Sequence, residues 1–336
     1  MSIHSSLRTG PKRLSIVRVP EERNPETFAE AVRSGLTTLP KTLPCRFFYD
    51  AIGSELFETI CDLPEYYLTR TEDAILRSYA DAMIAGWRRP PVLIELGSGS
   101  STKTRRLISA AFEAYGDLHY IPIDVSPTIL EASARELVRD FLRLRVTGFA
   151  GDYHVALEEI SRSIGGPKCI LFLGSSLGNY ADDEALGLLG HIASVMGPED
   201  RLLLGTDLAK DRVILEAAYD DDQGVTAAFN RNLLVRINRE LGADFDPESF
   251  THEARYRADL GRVEMHLVSC RKQTVRVPAA GIEVHFTEGE SIHTENSHKY
   301  TPDALANLAA RAGFAEEAGW TDDQEWFRVQ KWKVKS

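Results

Sequence analysis

A repeated alternation of apolar and amphipathic segments between residues 91 and 207 constrains the fold more than any other feature of the sequence. The segment PVLIEL (91–96) is almost continuously apolar, which is typical of a strand buried on both faces of a sheet. A glycine-rich turn and an amphipathic helix follow it. Four more apolar segments, each followed by a predicted helix, come after it: HYIPID (119–124), RLRVTGFAGD (143–152), KCILFLG (168–174) and RLLLGTD (201–207). Strands that alternate with helices predict a doubly wound parallel sheet of the α/β class.

The pattern changes after residue 208. Residues 209–242 are predicted to be helical, and residues 251–270 to form two strands around the turn Asp259-Leu260-Gly261. TVRVP and GIEVHF are expected to extend this antiparallel run, and a helix at 302–313 with a final strand pair returns to the first pattern. We therefore predict two domains, the main one from residues 71–208 and 300–336, and a smaller α+β domain over the mouth of the sheet from residues 18–70 and 209–299.

Composition limits the possible partners and the compartment. The formal net charge of −11 argues against a sequence-independent grip on nucleic acid or an anionic membrane, because both require a basic face. No apolar run of the roughly 18 residues that a membrane span needs occurs, and no signal peptide is recognisable. The four cysteines are scattered without a C-x-x-C pair, so reduced thiols are expected. We expect a cytoplasmic monomer with a small-molecule partner. Residues 1–20 are polar and are expected to be disordered or loosely docked.

The glycine-rich turn ELGSGSSTKT (95–104) lies where open α/β sheets bind ligands, outside the carboxyl ends of the strands. A phosphate-binding loop requires a second glycine before Lys103, and Thr102 stands there instead. A dinucleotide fingerprint lacks its third glycine at the same position. A third pattern needs only E-x-G-x-G after the first strand and an acidic residue at the end of the second. Glu95, Gly97, Gly99 and Asp124 supply it, and this combination suits S-adenosylmethionine.

The ends of the second and third strands add to this hypothesis. Asp124 closes HYIPID, and its carboxylate could accept from both hydroxyls of a ribose. Asp152 could accept from an adenine amino group, and the ring of Tyr153 could stack on the base. An aspartate at a strand end is more often a helix cap, so each residue alone is a weak signal. Three strand ends together predict an S-adenosylmethionine site.

The stretch IHTENSHKY (292–300) permits a second kind of site. His285, His293, Glu295 and His298 contain the donors that a metal ion prefers. On a regular strand, however, His293 and Glu295 would share a face and His298 would point the other way. No metal is therefore predicted.

Nine motifs together resemble a known family, the histidine Nα-methyltransferases of ergothioneine biosynthesis. The resemblance covers about residues 30–334 and lies in FFYDAIGSELFETI, LPEYYLTRTE, IELGSGSSTKTR, PIDVS, FLGSSLGNY, LGTDLAKD, AAYDDDQGVTAAFNRN, VEMHL and HTENSHKY. It implies a Rossmann-like class I methyltransferase sheet with a second, smaller substrate-binding domain, built from an N-terminal segment and an insertion.

The resemblance also implies a role for individual residues of the cofactor site. Gly97 and Lys103 would hold the methionine end of S-adenosylmethionine, Asp124 the ribose, and Asp152 with Tyr153 the adenine. Tyr153 stands where a phenylalanine is common in the family, and it keeps a ring that can stack.

The implied substrate site has its own set of residues. Tyr49 and Tyr66 would lie near the reacting amine as catalytic residues. Asn179 would bind the amino and carboxylate groups of the substrate, and Tyr219 the carboxylate. Glu295 and Ser297 would hydrogen-bond the two imidazole nitrogens, and Met265 would form a pocket wall.

The implied activity is methylation of the α-amino group of L-histidine by S-adenosylmethionine, in three transfers that give the trimethylated betaine hercynine for ergothioneine biosynthesis. Two alternatives remain open, a relative that acts on another amino acid and a non-catalytic S-adenosylmethionine-binding module. A nucleic-acid methyltransferase is disfavoured by the charge, and by GNY (178–180) where enzymes acting on base amines carry a Pro-Pro-aromatic motif.

Overall fold

The computed structural model describes residues 13–19 and 26–335. The strands are β1 (Leu14–Arg18), β2 (Lys41–Thr42), β3 (Val92–Leu96), β4 (Leu118–Asp124), β5 (Leu144–Ala150), β6 (Lys168–Phe172), β7 (Arg201–Asp207), β8 (Phe250–Arg257), β9 (Arg262–Ser269), β10 (Gln273–Val277), β11 (Ile282–Phe286), β12 (Ser291–His298), β13 (Phe314–Thr321) and β14 (Phe327–Val334). The α-helices are α1 (Phe28–Thr37), α2 (Ala51–Asp62), α3 (Tyr67–Ile84), α4 (Arg105–Tyr115), α5 (Pro127–Asp140), α6 (Tyr153–Ser163), α7 (Asp182–Val195), α8 (Arg212–Ala217), α9 (Val225–Leu241) and α10 (Pro302–Arg311).

The main sheet has eight strands in the order β1-β5-β4-β3-β6-β7-β14-β13. The first six strands in this order, β1 to β7, are parallel to their neighbours. At the other edge β14 pairs antiparallel with β7, and β13 pairs antiparallel with β14. Buried side chains form one apolar cluster on each face of this sheet. The predicted α/β class is confirmed, and the sheet is parallel as predicted except at β14 and β13. No helix in the described ranges is both long enough and apolar enough to cross a bilayer.

Strand β1 contradicts the expectation that residues 1–20 are disordered or loosely docked. Residues 14–18 pair in parallel with β5, and Leu14 and Ile16 pack against one of the two core clusters. An ideal Cβ on Gly148 of β5 would lie 2.7 Å from Ile16 Cδ1, so the glycine makes room for this side chain. The alternation of apolar residues at 14 and 16 was the available signal. Residues 1–12 and 20 lie outside the described residues.

A third apolar cluster draws its buried residues from positions 32–68 and 215–292. Some of these residues belong to a second sheet of four strands, in the order β2-β12-β9-β8. The strands TVRVP and GIEVHF do not extend this sheet as expected, because β10 and β11 pair with each other as a separate hairpin. The predicted boundary at residue 70 falls inside α3. Its first residues, Tyr67 and Leu68, belong to the third cluster, and its later turns pack on the main sheet.

Candidate active site

The glycine-rich turn after β3 is tied to the end of β4. The backbone N–H groups of Gly97 and Ser98 donate to the carbonyl of Ile123 at 2.9 and 3.1 Å. The N–H of Gly99 donates to the Asp124 carboxylate at 2.8 Å. Gly97 and Gly99 have φ angles of +67° and +49°, which favour glycine, and a Cβ on either would meet no atom within 4 Å. The turn therefore leaves open space beside its backbone, which a ligand could approach closely.

The two aspartates at the ends of β4 and β5 each have a structural partner. One oxygen of Asp124 accepts from Gly99 and the other from the N–H of Ser126 at 2.8 Å, and burial raises the pKa of this carboxyl group. Asp152 caps α6, where its Oδ1 accepts from the N–H of His154 at 2.7 Å. Its second oxygen has no partner among the described residues. Each carboxylate oxygen can accept more than one hydrogen bond, so a cap is compatible with ligand binding. The Tyr153 ring lies beside Asp152, with its centroid 6.4 Å from that of Phe172.

Lys103 has a buried partner that the sequence did not reveal. Its ammonium pairs with Glu72, whose side chain is fully buried and accepts from the N–H of Gly174 at 2.8 Å. Burial alone would lower the pKa of Lys103, but the Glu72 carboxylate raises it, so the lysine stays charged. A Cβ on Gly205 of β7 would lie 2.2 Å from a Glu72 oxygen, which explains a glycine there. In the sequence, the spacing of Thr69 and Glu72 fits a capping box and predicts a helix that begins there, but α3 begins at Tyr67 and Glu72 is buried. That expectation is wrong.

The loop after β6 brings Asn179 beside β12. A 3₁₀ helix covers Ser176–Asn179, and Ser175 before it has a φ of +58°, a strained value for a residue with a side chain. The Ser175 hydroxyl accepts from the N–H of Asp207, which ties the loop to the end of β7. Gly178 packs directly on the backbone of His298. Asn179 is half-buried, and its side chain has no hydrogen-bond partner in the described part of the chain.

Replacing Gly178 by alanine should displace this loop without unfolding the protein. The new Cβ would lie 3.0 Å from the carbonyl oxygen and 3.1 Å from the nitrogen of His298, so the loop must move by a few tenths of an ångström. We expect KM for the substrate to rise about tenfold, because small displacements of positioning groups are costly. Gly187→Ala in α7 is the matched control, since its Cβ meets nothing within 4 Å. Equal kinetics for the two variants would contradict the prediction.

A β-bulge in β12 changes the predicted faces of IHTENSHKY. His293 pairs with His266 of β9, but the next pair is Glu295 with Met265, so Thr294 is the extra residue. His293 and Glu295 therefore lie on opposite faces, and the expectation that they share one is wrong. His293 and His298 share a face, which corrects the argument used above against a metal. In the described residues, no group of three or more His, Cys, Asp or Glu side chains is arranged to hold a metal ion.

The other face of β12 carries Glu295 and Ser297. Met265 lies directly across from Glu295, and Val263 from Ser297. Burial raises the pKa of Glu295 to about 7, against a smaller opposing effect of the Lys299 charge. The Glu295 carboxylate has no hydrogen-bond partner among the described residues. A half-buried carboxylate without a partner is suited to a ligand that donates a hydrogen bond.

This raised pKa predicts a pH-dependent stability. The Glu295 pKa is about 7 in the folded protein and 4.5 in its ordinary range. The proton that Glu295 holds in the folded state therefore adds to the free energy of unfolding at low pH, and this contribution is lost as the pH rises through 7. Glu295→Gln removes the ionisation, so it should gain stability over the wild type between pH 5 and pH 8, by up to about 3 kcal/mol. Melting temperatures of both proteins across this range test it, and a difference that does not change with pH would contradict it.

Three tyrosines line the same region through a chain of aromatic contacts. The ring of Tyr49 lies 5.5 Å from Phe57, Phe57 lies 6.2 Å from Tyr66, and Tyr66 lies 6.1 Å from Tyr219, all edge-on. Tyr66 is buried, whereas 40% of Tyr49 is exposed. Removal from water, followed by nearby charges such as Glu295 for Tyr49, raises the pKa of both phenols. For Tyr49 the exposure weakens this effect but does not reverse its direction. Both phenols remain protonated at neutral pH.

Tyr219 and Ser297 belong to a hydrogen-bond network that sequence reasoning missed in part. The Tyr219 and Ser297 hydroxyls are 2.6 Å apart, and the Lys299 ammonium donates to them at 2.9 and 2.8 Å. Lys299 also pairs with the fully buried Asp207 at 2.8 Å. The lysine follows β12 directly and the aspartate ends β7. A charged residue at each of these positions was the only signal in the sequence.

The structure thus brings the predicted residues together in two groups. Gly97, Lys103, Asp124, Asp152 and Tyr153 lie at the carboxyl ends of β3, β4 and β5 or on the helices that follow. The substrate candidates lie around β12 and the loop after β6, and comprise Tyr49, Tyr66, Asn179, Tyr219, Met265, Glu295 and Ser297. The strand order, the antiparallel last strands and the open glycine turn are typical of the class I methyltransferase fold.

Comparisons with known proteins give the family. The family model described as histidine-specific methyltransferase, SAM-dependent, matches residues 28–334, and the chain belongs to this family. The chain is 45% identical to a histidine N-alpha-methyltransferase of Mycobacterium tuberculosis over 282 residues, 84% of this chain and 87% of that one. It is 43% identical to the enzyme of that name from Mycolicibacterium smegmatis, over 86% of this chain and 89% of that one. Ergothioneine biosynthesis protein 1 of Schizosaccharomyces pombe is 31% identical over 81% of this chain and 36% of its own length. The resemblance inferred from the motifs is confirmed.

Proposed function

We propose that this protein transfers methyl groups from S-adenosylmethionine to the α-amino nitrogen of L-histidine, in three steps that yield the trimethylated betaine. One observation carries the choice of histidine. Glu295 and Ser297 lie on one face of β12, beside Met265, so that a carboxylate and a hydroxyl can serve the two nitrogens of one imidazole ring. Membership of the histidine-specific family supports it. We propose that residues 18–70 and 209–299 form the part that binds histidine.

The residues at the strand ends fit S-adenosylmethionine chemically. The open space beside Gly97 and Gly99 admits a close ligand, and the free oxygen of Asp152 can accept from an amino group. We assign Asp124 to the ribose and Tyr153 to the adenine face. Lys103, held charged by Glu72, suits the carboxylate of the methionine end. The cofactor supplies an electrophilic methyl group on a sulfonium.

The remaining residues bind and orient the amino acid. We assign Asn179 to its amino and carboxylate groups and Tyr219 to its carboxylate. The amine must lose a proton before its lone pair can attack the methyl carbon, and the carbon–sulfur bond breaks as the carbon–nitrogen bond forms. The phenols of Tyr49 and Tyr66 are protonated, so neither is a resting base. We propose that Tyr49 or a water relays the proton and that the aromatic faces stabilise the cationic product amine.

Mass spectrometry tests the proposal. The protein is incubated with S-adenosylmethionine and, in separate reactions, with each of the proteinogenic amino acids. We expect one, two and three added methyl groups with histidine and a kcat/KM at least about tenfold lower with any other, because unpaired buried polar groups penalise a wrong side chain. Preferred methylation of another amino acid would overturn the choice of substrate. Binding of S-adenosylmethionine without any product would overturn the activity.

A further inference from the structure

A buried ion cluster lies where the chain passes between the two sheets. We call Asp207, Lys210, Lys299 and Tyr67 the crossover cluster. Tyr67 begins α3, Asp207 ends β7, and Lys299 follows β12. Asp207 is fully buried and accepts from Tyr67 at 2.7 Å, from Lys210 at 2.5 Å and from Lys299 at 2.8 Å. Within this cluster, one carboxylate serves two ammonium groups.

All hydrogen-bond donors of Lys299 are used within the protein. An ammonium group has three N–H donors, and those of Lys299 go to Asp207, to the Tyr219 hydroxyl and to the Ser297 hydroxyl. The side chain is fully buried, and its ammonium lies 4.6 Å from the centre of the Tyr219 ring. Lys299 therefore cannot contact a substrate directly. It can act only through the two hydroxyls.

The charges around these hydroxyls favour an anionic ligand. Burial alone would lower the pKa of Lys299, but Asp207 and then Tyr219 raise it, so it is cationic. Burial lowers the pKa of Lys210 to about 8, with Asp207 opposing the shift. Besides Asp207, the carboxylate that faces Lys210 is Asp322, and the one that interacts with Lys299 is Glu295. Each lysine also contacts a phenol, Lys210 that of Tyr67 and Lys299 that of Tyr219. Near neutral pH, the two lysines and Asp207 carry a surplus of positive charge.

We propose that Lys299 is a positioning residue that strengthens the bond from Tyr219 to the α-carboxylate of the amino-acid substrate. This rests on the proposed function. The Lys299 ammonium donates to the Tyr219 oxygen, which leaves the phenol hydrogen as the group that Tyr219 can offer. In the free protein its partner is the neutral Ser297 hydroxyl. A carboxylate is a stronger acceptor than a neutral hydroxyl, because charge-assisted hydrogen bonds are roughly twice as strong. The positive charge behind the phenol strengthens this preference further.

The experiment compares two ligands and several variants. Dissociation constants of L-histidine and L-histidinamide, in which a neutral amide replaces the carboxylate, are measured with S-adenosylhomocysteine present. Lys299→Met should reduce the preference for histidine over the amide about tenfold, because the ammonium charge behind the phenol attracts the anionic carboxylate and not the neutral amide. A purely structural role would weaken both ligands equally. The amine pKa differs between the ligands but not between the proteins, so it cancels in this ratio.

Lys210→Met is the matched control. Lys210 binds the same Asp207, together with the Tyr67 hydroxyl and the Leu208 carbonyl, but neither Tyr219 nor Ser297. The variant Lys210→Met removes the same charge from the crossover cluster. It should leave the preference for histidine over histidinamide within about threefold of the wild type. An equal loss in both lysine variants would overturn the proposal, because bulk charge would then explain the effect. An unchanged preference in Lys299→Met would overturn it as well.

Tyr219→Phe provides a test that does not depend on how Lys299→Met folds. It retains the ring and removes the hydroxyl through which Lys299 is proposed to act. It should reduce the preference for the carboxylate at least as much as Lys299→Met, and an unchanged preference would overturn the proposal. Failure of the wild type to bind histidine would instead overturn the proposed function, so the two failures are distinguishable. In steady-state kinetics, Lys299→Met should raise KM for histidine more than it lowers kcat.

Discussion

Replacing Glu295 by glutamine should lower kcat/KM for histidine about 100-fold, the largest effect expected from any single substitution in the substrate site. The Glu295 side chain is half-buried across from Met265, and its carboxylate has no hydrogen-bond partner among the described residues. A substrate N–H would therefore become its main hydrogen-bond partner. A hydrogen bond to a charged group contributes about 1.5–3 kcal/mol. The loss should appear mainly in KM, and the dissociation constant of S-adenosylmethionine should be unchanged. Steady-state kinetics and calorimetry measure the two quantities.

His293→Gln is the control on the same strand. The bulge at Thr294 places His293 on the opposite face, where its ring stacks on His266 at 5.0 Å. Replacing His293 should change kcat/KM by less than about threefold, because substitutions outside the substrate site usually have small effects. A loss comparable to that of Glu295→Gln would contradict the assignment of the two faces. It would return the histidines of IHTENSHKY to the candidate site.

Replacing Glu72 by glutamine should reduce the free energy of unfolding by about 3 kcal/mol, the largest loss of stability expected. Glu72 is fully buried, and its removal leaves the Lys103 ammonium without its carboxylate. Breaking a buried ion pair by removing one partner costs about 3–5 kcal/mol, and the 25% exposure of Lys103 places the effect at the lower end. Denaturant unfolding of the variant and the wild type measures the difference.

The double variant Glu72→Gln, Lys103→Met separates stability from cofactor binding. Replacing both partners of a buried pair is often nearly neutral, so the double variant should be more stable than either single variant. It should still bind S-adenosylmethionine about tenfold or more weakly, because the ammonium proposed for the methionine carboxylate is gone. Additive losses of stability would contradict the buried pair, and unchanged binding would contradict the role of Lys103.

The main sheet could be predicted from local patterns because its strands are apolar and each is followed by a helix. Val92–Leu96 and the strands at 118–124, 144–150, 168–172 and 201–207 lie close to their predicted positions. The hairpin of β10 and β11 could not be assigned to its own sheet, since strand pairing depends on tertiary packing that periodicity does not encode. The bulge at Thr294 could not be predicted from the sequence either. One inserted residue reverses the faces of a strand without a distinct sequence signal.

The cofactor candidates could be predicted from the strand ends, and the substrate candidates only from the family motifs. Asp124 and Glu295 stand at strand positions that motifs identify, and the structure brings them into the expected groups. The spacing of Glu72 from Thr69 fits a capping box, and nothing in the sequence indicates that Glu72 pairs with Lys103. Lys299 and Asp207 are about 90 positions apart in the sequence, and only the fold shows that they form an ion pair. Partners of functional residues that lie far apart in the chain leave no local pattern.

The position of the added methyl groups tests the account most directly. Histidine uniformly labelled with ¹⁵N is converted with S-adenosylmethionine, and the product is examined by proton–nitrogen correlation NMR. With the imidazole held by Glu295 and Ser297 and the amine near Tyr49 and Tyr66, every methyl signal should correlate with the α-nitrogen alone. A methyl signal that correlates with either ring nitrogen would contradict this orientation of the substrate.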